Sequence, residues 1–195
     1  MKKILAFLAL SAALVVPSHA SVIYTSAASL LANITGETFT NDFDGLTNPA
    51  PGAASFTSGI FSYSIFAPSD LYASGDFLGT SLPDEDLTIT FTSGNVYAFG
   101  ANFFAVDLSD TFQPVSLTLT LSDGTIETFT PTSISDSYRG FLSNVAIASF
   151  AIGAPVQSLY AGLDNLTVGT VPEPTSWALL GLGLAGFVVA RRRAV

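Results

Sequence analysis

The segment 115–130 places the strongest constraint on the fold of this chain. Apolar and hydroxyl side chains alternate over 115–121, and Asp123-Gly124 separates this run from a second one at 125–130. Alternation with period two is typical of a strand with one buried face, and Asp-Gly between two such runs is a strong signal for a tight hairpin turn. The pattern therefore predicts antiparallel sheet.

Similar short runs recur every eight to twelve residues, and almost none of the chain has a helical period. Strands are predicted at 22–25, 38–43, 55–57, 60–67, 87–92, 138–142, 145–152, 158–161 and 163–168. The run Val96–Val106 is apolar on both faces, which predicts a central strand covered on both sides. Ser26 is a candidate N-cap for a short helix over 26–32, and 70–85 is predicted to be a long loop. The expected fold is all-β: an antiparallel β-sandwich, jelly-roll-like, with one short N-terminal helix.

The first twenty residues predict a secretory signal peptide. Two lysines precede the apolar run 4–16, Pro17 ends that run, and Ser18-His19-Ala20 supplies small residues before a cleavage site. We expect signal peptidase to cleave after Ala20, because the apolar run is too short for a permanent anchor. Export across the inner membrane follows from this prediction.

The last 25 residues have a different physical character. Val171-Pro172-Glu173-Pro174 cannot form a helix or central strand, because its two prolines lack the N–H group and restrict the backbone. The uncharged run 177–190 follows, and as a helix it would be roughly 21 Å long, against ~30 Å for the hydrocarbon core. Snorkelling of the cations that follow offsets this shortfall. A C-terminal transmembrane helix is predicted, with a cytoplasmic stop formed by Arg191, Arg192 and Arg193.

This order of features resembles the PEP-CTERM sorting signal. The resemblance implies that a membrane protease-transpeptidase, exosortase, recognises Val171, Pro172, Glu173 and Pro174 and removes the tail near them. It also implies display at the cell surface or release by a bacterium that makes extracellular polysaccharide. The chain thus divides into a signal peptide (1–20), a β-sandwich domain (21–170) and a sorting segment (171–195).

The predicted domain 21–170 is strongly acidic and chemically restricted. All acidic residues of the sequence except Glu173 lie in it, and they number fourteen, whereas Arg139 is its only Lys or Arg, so its net charge is −13. Such a surface repels nucleic acid. The domain has no Cys, His or Lys, which excludes a Ser-His-Asp triad, a thiol site and a histidine zinc site. Carboxylates that suit calcium, or a paired-carboxylate glycosidase, remain open.

Three segments of the domain resemble a sandwich that often accompanies PEP-CTERM tails and is similar to galactose-binding-like carbohydrate-binding modules. They are the helix with 37–46, the segment 97–100 and the closing segment 162–168. Some of those modules have a structural calcium between an early strand and the last strand. A calcium ion is the one cofactor suggested here, and its candidate ligands are Glu37, Asp42, Asp44 and Asp164. Carboxylates on a solvated edge are the alternative.

Other polar and aromatic residues have structural and functional interpretations. Asp84-Glu85-Asp86 is predicted to be a solvated turn, and Arg139 is predicted to form an ion pair or to bind loop carbonyls. Tyr72 and Phe77, in the predicted long loop, are the best candidates for stacking against a sugar, although packing in the core is the commoner role of such rings.

Three function classes compete at this point. The first, which we favour, is a non-catalytic surface or extracellular-matrix protein associated with exopolysaccharide. The second is a carbohydrate-binding module with a specific glycan ligand. The third is a carboxylate-based glycosidase, which requires two acids that face each other across a groove.

Overall fold

Two antiparallel sheets dominate the computed structural model, which describes residues 21–46 and 53–171. The signal peptide predicted at 1–20, the C-terminal helix predicted at 177–190 and most of the sorting segment lie outside the described residues. The described strands are, in chain order, β1 (Val22–Tyr24), β2 (Thr38–Asn41), β3 (Ala53–Ser58), β4 (Phe61–Phe66), β5 (Leu71–Ala73), β6 (Leu78–Thr80), β7 (Leu87–Phe91), β8 (Ala98–Val106), β9 (Phe112–Gln113), β10 (Leu117–Leu121), β11 (Ile126–Phe129), β12 (Tyr138–Leu142), β13 (Ser149–Ile152) and β14 (Tyr160–Gly169).

The strands form an eight-stranded and a six-stranded sheet. The eight-stranded sheet has the order β1-β12-β8-β14-β6-β5, with β2 paired to the second half of β14 and β9 paired to the end of β8. The six-stranded sheet has the order β11-β10-β13-β7-β4-β3. From β7 onward the long strands cross repeatedly from one sheet to the other. The predicted all-β antiparallel sandwich is therefore confirmed.

Phenylalanines fill the space between the sheets. Phe99 of β8 stacks on Phe150 of β13, with 4.2 Å between ring centroids and 6° between ring planes. Phe141 stacks on the other side of Phe99 at 5.0 Å, and Phe103 meets Phe150 edge to face at 5.7 Å. Each of these rings occupies an inward position of a strand, and all four are buried. Ring pairs of this kind add to the burial of apolar area that holds the two sheets together.

The outer face of β8 is covered as well, which confirms that this strand is buried on both sides. The single described α-helix, α1 (Ala27–Leu31), begins after Ser26, whose hydroxyl accepts a hydrogen bond from the Ser29 N–H over 3.2 Å. Its Leu30 is fully buried against Ala98 and Tyr138. At the other end of the strand, Phe104 and Val106 form a second outer cluster with Phe77.

Three sequence-based predictions about the strands were wrong. The strand predicted at 145–152 begins only at Ser149. The segment 70–85 contains the hairpin β5–β6 and is not an uninterrupted loop. These strands were missed because three residues are too few to show a periodic pattern of apolar side chains. The strands predicted at 158–161 and 163–168 are one strand, β14, with a β-bulge between Asp164 and Thr167. Asn165 occupies the bulge at φ 56°, a conformation that Asn tolerates better than most residues.

Candidate functional site

A pocket with a volume of about 120 Å³ lies on the outer face of the eight-stranded sheet. We call it the aromatic pocket. It is lined by Tyr72, Phe77, Thr80, Ser81, Val106, Asp107, Leu108, Asp110 and Tyr160. Four segments contribute to it: the β5–β6 hairpin, the end of β8, the turn that follows β8, and the start of β14. Pockets that bind drug-sized molecules enclose ~300–1,000 Å³, so this pocket has room for a small group or one unit of a chain.

Packing beneath the aromatic pocket fixes the positions of its rings. Phe77 meets Tyr72 edge to face, with 6.0 Å between centroids, and meets Phe104 in the same way at 5.3 Å. Gly162 of β14 leaves the space that these rings need, because a Cβ atom there would lie 2.8 Å from the Phe104 ring and 3.3 Å from Phe77. Tyr72 and Tyr160 are half-buried, whereas Phe77 is almost fully buried. The two tyrosines therefore offer the accessible aromatic surface.

A hydrogen bond joins two sides of the aromatic pocket. The Tyr72 hydroxyl donates to Asp110 Oδ2 over 2.8 Å, although the two residues are 38 positions apart in the sequence. The hydrogen bond to Asp110, followed by desolvation and by the charge of Asp110, raises the pKa of Tyr72. The phenol therefore stays protonated, and its ring has a fixed orientation.

Asp107 shapes the turn that places Asp110. Its carboxylate accepts from the Ser109 N–H at 2.8 Å, the Thr111 N–H at 3.1 Å and the Gln113 side-chain amide at 2.9 Å. The bond from Ser109 makes the largest contribution to lowering the pKa of Asp107, and those from Thr111 and Gln113 act in the same direction against a smaller effect of desolvation. Asp107 is thus ionised and already used by its own turn, which is the typical role of an Asp at this position.

The structure brings together only some of the four residues that were predicted to bind calcium. Asp42, Asp44 and Asp76 act on Asp164 through their charges, whereas Glu37 lies beyond the opposite end of β2, beside Thr170. Burial makes the largest contribution to raising the pKa of Asp164 to about 6; the N–H of the next residue opposes it, and the three neighbouring carboxylates add to it. In the described part of the chain, no three acidic side chains are arranged to hold a metal ion. The calcium site stays a prediction.

Arg139 has a structural role, as predicted. Its guanidinium lies 3.9 Å from the centre of the Phe129 ring and 3.6 Å from a Glu127 carboxylate oxygen. Its Nη1 donates to the carbonyls of Tyr138 and Asp136 over 2.7 and 3.2 Å. Arg139 belongs to β12 of the eight-stranded sheet and Phe129 to β11, the edge strand of the six-stranded sheet, so this side chain links the two sheets.

The acidic run 84–86 was predicted to be a solvated turn, but its carboxylates also bind other segments of the chain. Each carboxylate accepts a hydrogen bond from a different segment: Asp84 from the Ser158 N–H at 3.0 Å, Glu85 from the Ser69 hydroxyl at 2.6 Å, and Asp86 from the Ala154 N–H at 2.6 Å. The run therefore fastens several loops at one end of the sandwich. Nothing in the local sequence indicates these partners, because two of the three lie about seventy positions away.

Two of the three aromatic residues that line the aromatic pocket were predicted from the sequence. Tyr72 and Phe77 were predicted as candidates for stacking on a sugar, and both line the pocket. Asp110 and Tyr160 were missed. The segment 107–110 carries a turn signal, because Asp and Ser cluster after a strand, but a turn signal does not identify the side chains that face it. Tyr160 lies in a predicted strand, and nothing in its local sequence distinguishes it from other strand residues.

The C-terminal segment of the chain matches one family of known proteins. The family model of the PEP-CTERM protein-sorting motif matches residues 170–193, a range that contains the predicted recognition element 171–174 and the three terminal arginines. A comparison with curated proteins gives no match. Within the described residues, no helix has both the length and the apolar character needed to span a membrane. The chain carries a PEP-CTERM sorting motif, and this motif supports an exosortase-sorted protein that is exported, anchored at its C-terminus and displayed at the surface.

Proposed function

We propose that this chain is a non-catalytic cell-surface or extracellular-matrix protein that associates with extracellular polysaccharide. The observation that carries the proposal is the sorting motif at 170–193, joined directly to an acidic β-sandwich. Strand β14 ends at Gly169, and the Thr170 N–H donates to the Glu37 carbonyl over 2.9 Å. The sorting segment thus begins where the sandwich ends, and its removal leaves the sheets complete.

Processing would occur at both ends. Signal peptidase cleaves after Ala20, and the helix predicted at 177–190 then anchors the protein, with its arginines on the cytoplasmic side. Exosortase removes that anchor near Pro172-Glu173-Pro174. The sandwich domain 21–170 in this product has a net charge of −13, because the cations at the two ends are outside it. A strong single-sign charge favours solubility outside the cell.

The chemistry of the domain supports a role without catalysis. Residues 21–170 contain no Cys, His or Lys, so a Ser or Thr nucleophile there has no His or Lys to act as its base, and a Cys nucleophile is absent. A glycosidase needs two carboxylates free to act on one bond. In the aromatic pocket, Asp107 is used by its own turn and Asp110 accepts a bond from Tyr72, an arrangement that favours binding over hydrolysis.

The proposal is tested by expressing the full chain in a host that has exosortase and measuring the mass of the protein recovered from the surface and the medium. We expect a product that begins at Ser21 and ends near 174. A variant with Pro172→Ala and Pro174→Ala should keep its C-terminal segment and stay in the membrane fraction. Pro83→Ala, in a loop of the sandwich, is the matched control. Recovery of the intact chain 1–195 from the cytosol would contradict the proposal.

A carbohydrate-binding module with a defined ligand is the second candidate function. The aromatic pocket favours it, because two accessible tyrosine rings and a carboxylate converge on one small cavity. Aromatic rings stack on the C–H faces of sugars, and carboxylates accept hydrogen bonds from their polar groups. A glycan array probed with the full chain would separate a specific ligand from general association with a matrix.

A further inference from the structure

We propose that the aromatic pocket binds a protonated amino sugar within a polysaccharide chain. The inference rests on the proposed association with polysaccharide and names the class of polymer. It predicts that Tyr72 and Tyr160 contact the sugar ring and that Asp110 binds the ammonium group. No motif match assigns a ligand to this part of the chain.

The shape of the aromatic pocket limits what can enter it. A cavity of about 120 Å³ is smaller than the ~300–1,000 Å³ of sites that enclose a whole small molecule. One sugar unit of a longer chain can place a face against Tyr72 and Tyr160 while its neighbours remain in solvent. Leu108, 85% exposed at the rim, adds apolar surface beside the rings.

The contacts of Asp110 favour a cation over a neutral sugar. One carboxylate oxygen accepts from Tyr72, and among the described residues the other has no hydrogen-bond partner. Asp110 is exposed and has φ 58°, a backbone conformation set by the turn after β8. A carboxylate bound to an ammonium forms a charge-assisted bond, which is roughly twice as strong as a neutral hydrogen bond.

The Tyr72 ring strengthens this preference. A phenol that donates its hydrogen bond to a carboxylate has a more electron-rich ring, and such a ring attracts a cation near its face more strongly. The neighbouring Asp107 is ionised and also lines the pocket. The pocket therefore combines aromatic faces with two negative charges, and within its lining there is no cationic side chain.

The net charge of the whole domain also favours a cationic ligand. With fourteen acids and Arg139 as the only Lys or Arg in 21–170, the protein repels polymers that carry uronate or sulfate groups. Arg139 is held by Glu127 and Phe129 of the other sheet and is not available to an anionic ligand. A polymer with free amino groups is attracted, within a screening length of ~8–10 Å at moderate salt.

The test uses the full chain in a neutral detergent and isothermal titration calorimetry at about pH 6, where amines of this kind are protonated. The probes are a glucosamine oligomer, the N-acetylglucosamine oligomer of the same length and a galacturonate oligomer. We expect the glucosamine oligomer to bind about tenfold more tightly than the acetylated one, and the galacturonate oligomer not to bind. Equal affinity for the first two probes, or no binding of glucosamine, would overturn the inference.

Matched variants separate binding in the pocket from general attraction by the acidic surface. Asp110→Asn and Tyr160→Ala should each weaken glucosamine binding about tenfold. Glu37→Gln removes the same charge at an exposed position on another part of the sandwich and should change affinity less than twofold. Equal losses in Asp110→Asn and Glu37→Gln would overturn the inference. Melting curves of each variant establish that it is folded.

The two proposals fail in different ways. A protein that is processed and displayed but binds no glucosamine oligomer would overturn the ligand and leave the sorting proposal standing. A protein that binds the oligomer yet remains unprocessed in the cytosol would overturn the sorting proposal and leave the ligand standing.

Discussion

The Ser21 hydroxyl donates a hydrogen bond to Asp123 Oδ2 over 2.6 Å, across 102 positions of sequence. The Ser21 N–H donates to Thr125 Oγ1 over 3.0 Å. Asp123 occupies the turn between β10 and β11, so these bonds attach the first residue of the predicted mature chain to the edge of the six-stranded sheet. Cleavage after Ala20 would convert this N–H into an ammonium group close to the Asp123 carboxylate.

We predict that Asp123→Asn lowers the free energy of unfolding of the processed protein by about 1 kcal/mol, because it weakens the bonds at Ser21 and Thr125. Burial raises the pKa of Asp123, but hydrogen bonds from Ser21, Thr125 and Ser143 outweigh it and lower the pKa overall. Because the pKa of Asp123 is lower in the folded state than in the unfolded state, the ionised carboxylate stabilises the fold at pH values above the unfolded-state pKa. This stabilisation is lost as the pH falls through the folded-state pKa. Urea unfolding at pH 7 and pH 3 measures the difference.

The control for Asp123 is Asp70→Asn, which removes an exposed charge that has no side-chain hydrogen bond among the described residues. We expect it to change the free energy of unfolding by less than about 0.5 kcal/mol. Equal effects of the two substitutions would show that Ser21 is not held by Asp123.

Asp164 is predicted to destabilise the fold at neutral pH. The fold raises the pKa of Asp164 to about 6. Between pH 6 and the pKa that Asp164 has in the unfolded chain, its carboxyl is therefore protonated in the folded state and ionised in the unfolded state. Stability should therefore rise as the pH falls from about 7 to about 4. Asp164→Asn should stabilise the protein at pH 7.5 by about 1 kcal/mol, a figure reduced because the group is partly exposed, and this gain should vanish near pH 4.

Thermal melts across this pH range test the Asp164 prediction. Glu37→Gln, beyond the opposite end of β2, is the control and should not alter the pH dependence. If Asp164→Asn has the same melting temperature as the parent protein at every pH, the carboxyl is not penalised in the fold.

Docking of α1 depends on Leu30, which is fully buried over a surface where Gly100 and Gly140 remove side chains from the sheet. A Cβ atom at Gly140 would lie 3.0 Å from Leu30 Cδ2. We predict that Leu30→Ala costs about 3 kcal/mol of stability, because it leaves a cavity at this contact. Leu31→Ala, at a position 42% exposed, should cost less than about 1 kcal/mol in the same urea titration. Similar costs would mean that the helix is not docked through Leu30.

Arg139 should not be replaceable by lysine. Its planar guanidinium stacks on Phe129 and donates two bonds from Nη1, a geometry that an ammonium group cannot reproduce. We expect Arg139→Lys to cost about 1–2 kcal/mol in chemical denaturation. Glu127→Gln removes only an ion pair with a 3.6 Å separation and should cost less than about 1 kcal/mol. A larger loss for Glu127→Gln would contradict this ranking.

Local patterns were enough to predict most strands. Alternation over 115–121 and the Asp123-Gly124 pair predicted β10, β11 and their hairpin, and all three are present. The double-sided apolar run 96–106 predicted a central strand, and β8 lies between β12 and β14. β5 and β6 were missed because three residues cannot show a period, and the bulge at Asn165 hid the continuity of β14.

The sequence by itself determined the features that depend on residues close together in the chain. These are the alternating strands, the capped helix and the sorting motif that the family model matches; the export signal is predicted in the same way. Only the tertiary structure decided which side chains meet. Tyr72, Asp110 and Tyr160 are far apart in the sequence, and the antiparallel pairing of β6 with β14 and of β14 with β8 places them at one pocket. The physical reason is that strand pairing between distant segments depends on packing of the whole core, which no local window of sequence contains.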